Sequence, residues 1–391
     1  MTGADERERR ARQCSQLMSE QGWDALVASF PESLRYLGGV SSVSASVNRR
    51  TAVLAVVGPG GRVEGIVAPT GDVASLVASG QEADRIWSYG RFVFFGEGAL
   101  AQKVSDVAAR ASATPVEAVL RALADLGLGG RVALEDDGLL PGLSMELFTA
   151  HVFLPTNQKL LALRQVKSAW EIGQLAQACE IAEQALQESL AGAREGTTDL
   201  ELVQSFQVAA QRLGAVPLFA VMAIGEQAAL ADTPPVGRAL RRGDMVRCDV
   251  GVTFEGYRAD IARTACLGTP SAKVKAYYDA ILVGEDNGIA SLVAGGVAEQ
   301  VFSAAVEGTR RSGIGHYDRS HVGHSIGLEV YDGMLLASGR TDEIRDNMVF
   351  CVETPYYEIG WGGVQVEDMV VVTPQGPRIL NQTPRTLWEI S

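Results

Sequence analysis

The sequence predicts an α/β N-terminal domain over residues 1–160, followed by an α+β domain over residues 161–391. Short β-branched runs alternate with helical stretches through the first part. Two long amphipathic helical patterns open the second part, and from Pro217 onward extended segments dominate.

Taken in order, a helix-like pattern after Arg12 stops near Gly22, and residues 23–29 (WDALVAS) read as a short strand. Residues 51–57 and 63–67 flank Gly58-Pro59-Gly60-Gly61, which predicts a hairpin. Residues 131–135 form another strand after Gly129-Gly130. After Ser168, residues Ile172, Leu175, Cys179, Ala182, Leu186 and Leu190 recur at helical spacing, with Glu and Gln opposite. Thr198-Asp199-Leu200-Glu201 has the form of a capping box, and Val203, Phe206, Ala210 and Leu213 give the next helix one apolar face. Residues 245–253 and 256–264 predict a hairpin that brings Asp249 near Asp260. Glu353 and Glu367 fall on two extended runs joined by Gly360-Trp361-Gly362-Gly363. Strands hold ligands in place better than loops do.

Composition narrows the function. With 47% hydrophobic and 21% charged residues, the chain has the make-up of a globular protein with substantial cores. Its 34 Lys and Arg against 47 Asp and Glu leave a net charge of −13, so a phosphate-binding surface and a nucleic-acid partner are not expected. The charged N-terminus lacks the apolar core of a secretory signal, and no apolar stretch is long enough to span a bilayer. Cys14, Cys179, Cys248, Cys266 and Cys351 are scattered, without CxxC spacing, which points to reduced thiols and a cytoplasmic location. Most of these cysteines read as small core residues. Cys351, two positions before Glu353, would share its face of an extended strand.

Five residues carry the chemistry: Asp249 in CDVG, Asp260 in RADIART, His324 in GHSIGL, Glu353 in VETP and Glu367 in GGVQVED. Four carboxylates and one imidazole suit Mn²⁺, Fe²⁺, Co²⁺ or Zn²⁺ and leave room for bridging ligands and a water. These segments resemble the creatinase, prolidase and Xaa-Pro aminopeptidase family of pita-bread fold. The segment LRQVKS at residues 163–168 also resembles the family's passage into its catalytic domain.

The resemblance covers most of the chain. It implies two divalent metal ions held by Asp249, Asp260, His324, Glu353 and Glu367, with Asp260 and Glu367 bridging. It further implies that Glu353 moves the proton, and that the protein is a homodimer whose first domain covers the partner's site. The expected substrate is a small molecule or short peptide.

Three departures from the family pattern bear on substrate. Asp232 stands where a histidine is expected, in the run GEQAALAD. Tyr331 replaces a second histidine seven residues past His324, and Gln365 replaces an arginine two residues before Glu367. Losing two imidazoles and a guanidinium removes donors to a scissile carbonyl and a leaving nitrogen, so general peptide cleavage should suffer.

Asp232 would suit a cationic substrate group and Tyr331 offers a hydroxyl donor, which makes Asp232, Tyr331 and Gln365 the candidate substrate-binding residues. A turn role for Asp232 and a packing role for Tyr331 are the alternatives. His321 and His316 are candidate proton carriers, so the catalytic set is Glu353, His321 and Tyr331. The expected activity is hydrolysis of a C–N bond in a small amino-acid-like or amide substrate. A metal-dependent lyase on the same scaffold and a non-catalytic binding module are the alternatives.

Overall fold

The computed structural model describes residues 3–48, 50–135, 151–156 and 159–391. The chain divides into two compact units between Leu163 and Arg164.

The first unit is built on six strands: β1 (Ala25–Ala28), β2 (Leu54–Val57), β3 (Val63–Pro69), β4 (Ile86–Tyr89), β5 (Gly130–Leu134) and β6 (His151–Pro155). Their order is β4-β3-β2-β1-β5-β6. β2 and β3 pair antiparallel, as the hairpin reading expects. Val27, Leu54, Val56, Val132 and Leu123 form the core of this unit. The first helix differs from expectation, because it runs over Gly3–Gln21 and takes in the charged N-terminal stretch. Its charges are compatible with a helix because Glu6 pairs with Arg9 at 2.6 Å and Arg10 at 2.8 Å, one turn on.

The second unit begins with the helix Ala169–Ala191, whose start is fixed by a capping box between Ser168 and Glu171. The helix Asp199–Arg212 starts with the expected Thr198–Glu201 box. One sheet follows, made of β7 (Val216–Ile224), β8 (Met245–Phe254), β9 (Tyr257–Leu267), β10 (Gly323–Ser325), β11 (Val349–Glu353) and β14 (Glu367–Thr373) in the order β10-β11-β14-β9-β8-β7. β15 (Gly376–Ile379) joins β14, and β16 (Trp388–Ile390) joins β9. Between β11 and β14 the chain makes a separate hairpin of β12 (Tyr356–Glu358) and β13 (Gly362–Val364). Of the glycines expected to link the Glu353 and Glu367 runs, Gly360 lies in the turn of this hairpin, while Gly362 and Gly363 pair within β13.

Alternation along these strands sorts the sheet into two faces. Val246, Cys248, Val250 and Ile261 are fully buried and face the helix Ala169–Ala191, which packs on β8 and β9. Burying a side chain such as Ile261 stabilises the fold by about 1.5–3 kcal/mol.

The helical stripe is apolar as read, but its polar side is not wholly solvated. Glu183 is buried and accepts from the backbone N–H groups of Gln382 and Thr383. On this face Arg263, fully buried, donates to Asp368 at 2.7 Å and to the Glu367 carbonyl at 2.8 Å, locking β9 to β14. The helices Ala272–Ala290 and Ala298–Arg311 pack closely, since a side chain at Gly284 would collide with Thr309 and Ala305. No helix among the described residues is long and apolar enough to cross a membrane.

Candidate metal centre

The other face of the sheet collects the candidate ligands. In one row across four strands, Asp249 on β8 lies opposite Ala262 on β9, Ala262 opposite Glu367 on β14, and Glu367 opposite Glu353 on β11. Opposed residues of an antiparallel pair share a face, as do residues two apart on a strand. Asp260 therefore joins this face two residues before Ala262, and Cys351 two residues before Glu353. His324 on β10 lies opposite Cys351.

Donor atoms of Asp260, His324, Cys351 and Glu367 all lie within 4.8 Å of one another. Gly323 lets β10 come this close: its φ is +139°, and a side chain there would strike the Cys351 carbonyl.

The cluster carries unbalanced negative charge. Burial, then Asp249 and Glu353, push the Asp260 carboxyl well above the ordinary range. Burial, Asp260 and Glu353 do the same to Glu367. Burial pushes Asp249 up to about 6, opposed by Arg247. Asp260 Oδ1 and Glu367 Oε1 are buried and have no hydrogen-bond partner among the described residues. Converging oxygens without donors are what a cation would satisfy, so the residues present fit divalent metal.

Burial also holds the His324 imidazole below its usual range, in the neutral form that ligates. With Nδ1 at 3.3 Å from the Ser325 carbonyl, Nε2 turns toward Asp260 at 3.6 Å and Glu367 at 3.9 Å.

Glu353 behaves differently from its neighbours. Burial would raise its pKa, but His321 and Arg319 outweigh that and hold the carboxylate low. His321 Nε2 lies 3.1 Å from Glu353 Oε1, and Arg319 Nη2 3.5 Å from Oε2.

Tyr331 is half-exposed, its ring 4.1 Å from that of His324. Its phenol is pushed up by burial and then by Glu353, Glu367, Asp260 and Asp249, so it keeps its proton. The segment bearing Tyr331 is anchored through Asp332, which pairs with Lys167 at 2.9 Å and Arg164 at 3.1 Å. The LRQVKS segment therefore has a structural use beside the site.

Asp232 is exposed in a turn, yet its charge acts on Asp249. His316 lies outside the cluster, engaged by the Tyr356 hydroxyl at 2.9 Å. Gln365, expected to face substrate, is instead buried. Its Nε2 donates to Asp249 Oδ2 at 3.0 Å and Glu367 Oε2 at 3.4 Å, while its Oε1 accepts from Arg247 at 2.8 Å.

Arg247, Arg319 and Tyr357 were not among the residues singled out from sequence. The Tyr357 ring lies 5.1 Å from the Arg247 guanidinium and 5.6 Å from that of Arg319. Arg247 had a signal, being two residues before Asp249 on a predicted strand.

This face and its donor set define a metal-dependent hydrolase of the pita-bread class. The pattern of Metallopeptidase family M24 matches residues 173–374, more than half of the chain, and the chain belongs to that family.

An uncharacterized peptidase of Staphylococcus saprophyticus is 30% identical over 234 residues, 59% of this chain and 67% of that protein. A Xaa-Pro dipeptidase of Pyrococcus horikoshii is 30% identical over 227 residues, 58% of this chain and 65% of that protein. The chain thus spans about two thirds of the length of these relatives. Among solved structures, X-Pro aminopeptidase from Thermotoga maritima superposes with a TM-score of 0.81 at 25% identity, covering 97% of this chain and 99% of that one.

Proposed function

We propose that this chain is a dinuclear-metal hydrolase that cleaves a C–N bond in a small amino-acid-like or amide substrate, with residues 161–391 as the catalytic domain. The observation that carries the reading is the gathering of Asp260, His324 and Glu367 donor atoms within 4.8 Å of one another, where Asp260 Oδ1 and Glu367 Oε1 are buried without a hydrogen-bond partner among the described residues. Asp249, Asp260, His324, Glu353 and Glu367 would hold two ions of Mn, Fe, Co or Zn. When bound, such ions lower the pKa of a water and polarise a carbonyl.

The remaining work falls to the chain. Glu353, kept ionised by Arg319 and His321, accepts a proton, and His321 at 3.1 Å passes it on. Tyr331, holding its proton beside the carboxylates, donates to the substrate oxygen. The exposed charge of Asp232 favours a substrate with an ammonium or guanidinium group.

Five free, buried cysteines support a reducing compartment such as the cytoplasm. The homodimer rests on the family resemblance, and sedimentation of the purified chain tests it.

The test of function is elemental analysis together with a screen of dipeptides and small amides. Asp260→Ala and Glu367→Ala should lose both metal and activity, because each removes a buried anionic donor that would hold and neutralise the ions. Full activity in both variants, with no divalent ion in the parent, would overturn the reading. Xaa-Pro dipeptides should turn over well below the typical rate of about ten per second.

A further inference from the structure

We infer that the Cys351 thiol is a sulfur donor within the metal centre, which biases the site toward zinc, cobalt or cadmium over manganese. The inference rests on the proposed function and deepens it by naming a ligand and a class of metal.

Cys351 lies on β11 directly opposite His324, on the face that carries the carboxylates. Its Sγ lies within 4.8 Å of the donor atoms of Asp260, His324 and Glu367. Its hydrogen-bond contact is with the Asp260 carbonyl at 3.6 Å, a weak sulfur interaction that a cation readily replaces.

An independent observation points to a ligand at the same place. Asp260 and Glu367 are 6% and 2% exposed, and each has one buried oxygen, Oδ1 and Oε1, without a hydrogen-bond partner among the described residues. A protein cluster of two carboxylate oxygens, one imidazole nitrogen and one sulfur is a mixed four-donor set. Zinc and cobalt(II) accept such a set, whereas manganese prefers oxygen throughout. On coordination the sulfur binds as thiolate and its proton leaves to solvent. Cys248 offers a contrast: it adjoins Asp249 in sequence, but alternation turns it to the opposite, helix-packed face.

The test is to add cobalt(II) to the metal-stripped full chain and record its absorption and metal stoichiometry. Sulfur-to-cobalt charge transfer gives an intense near-ultraviolet band. That band is expected in the parent and in Cys248→Ser, and is expected to be lost in Cys351→Ser and Cys351→Ala while cobalt still binds. Cobalt bound to the parent without the band overturns the sulfur ligand alone. A band that survives in a Cys351 variant overturns it too. Failure of the parent to bind any cobalt overturns both this inference and the proposed function.

Discussion

Arg247 donates through Nη1 to Gln365 Oε1 at 2.8 Å, although the two residues are 118 positions apart. Through its other nitrogens Arg247 also holds the carbonyls of Ala228, Leu230 and Ala231, just before Asp232. One buried guanidinium thus ties the Asp232 turn to Gln365, and Gln365 in turn orients Asp249 and Glu367. Gln365→Leu should therefore lower metal affinity by roughly 10–100-fold, as loss of a group that orients ligands does. Calorimetric titration of metal into the variant checks this, and an unchanged affinity would show that the amide orients nothing.

The metal-free chain should have an unusual dependence on pH. Folding raises the Asp249 carboxyl to about 6, so the folded chain holds a proton that the unfolded chain releases from about pH 4 upward. The associated stability is fully present at lower pH and is lost as pH rises through about 6. Asp249→Asn, neutral throughout, should stabilise the metal-free chain at pH 7 by roughly 1–3 kcal/mol and leave it unchanged at pH 4. Urea unfolding at the two pH values measures the difference, and equal effects at both would contradict the linkage.

Asp232 and Tyr331 are expected to govern substrate rather than metal. Asp232→Asn removes only charge, so affinity for a cationic substrate should fall by about 1–3 kcal/mol with metal content unchanged. Tyr331→Phe should lower kcat and also leave the metal in place. Metal content and kinetics measured together decide this: lost metal would make these residues ligands, and unchanged kinetics would return them to turn and packing roles.

Lys167→Met should loosen the Tyr331 segment. Asp332 is fully buried and would lose one of its two cations, at a cost of roughly 2–4 kcal/mol. Thermal unfolding of the apo and metal-loaded forms gives the value, and a shift of a degree or less would rule out the anchoring role.

The candidate ligands could be read in advance because each sits in a short motif that resembles the family's, and Asp249, Asp260, Glu353 and Glu367 already fell on extended runs. Asp249, Asp260, His324, Glu353 and Glu367 all lie on one face of the sheet. The long helix was legible from its spacing, and the start of the next helix from the Thr198–Glu201 cap. What sequence does not carry is pairing between distant segments. Nothing local predicts that Gln365 pairs with Arg247, 118 positions away, or that Glu183 is buried beneath Gln382 and Thr383. The hairpin of β12 and β13 was missed for a related reason: Gly360 to Gly363 suit a plain linker as well as a turn, and only the pairing of Tyr356 with Val364 distinguishes them.

That hairpin separates rigidity from variation. Glu353 ends β11 and Glu367 begins β14, and the two residues face each other in register. All the chain between them leaves the sheet and returns to it. Its tip, at the exposed Ile359, can lengthen or change sequence without shifting either carboxylate along its strand. Length and sequence at that tip can therefore vary while the register of the two carboxylates stays fixed.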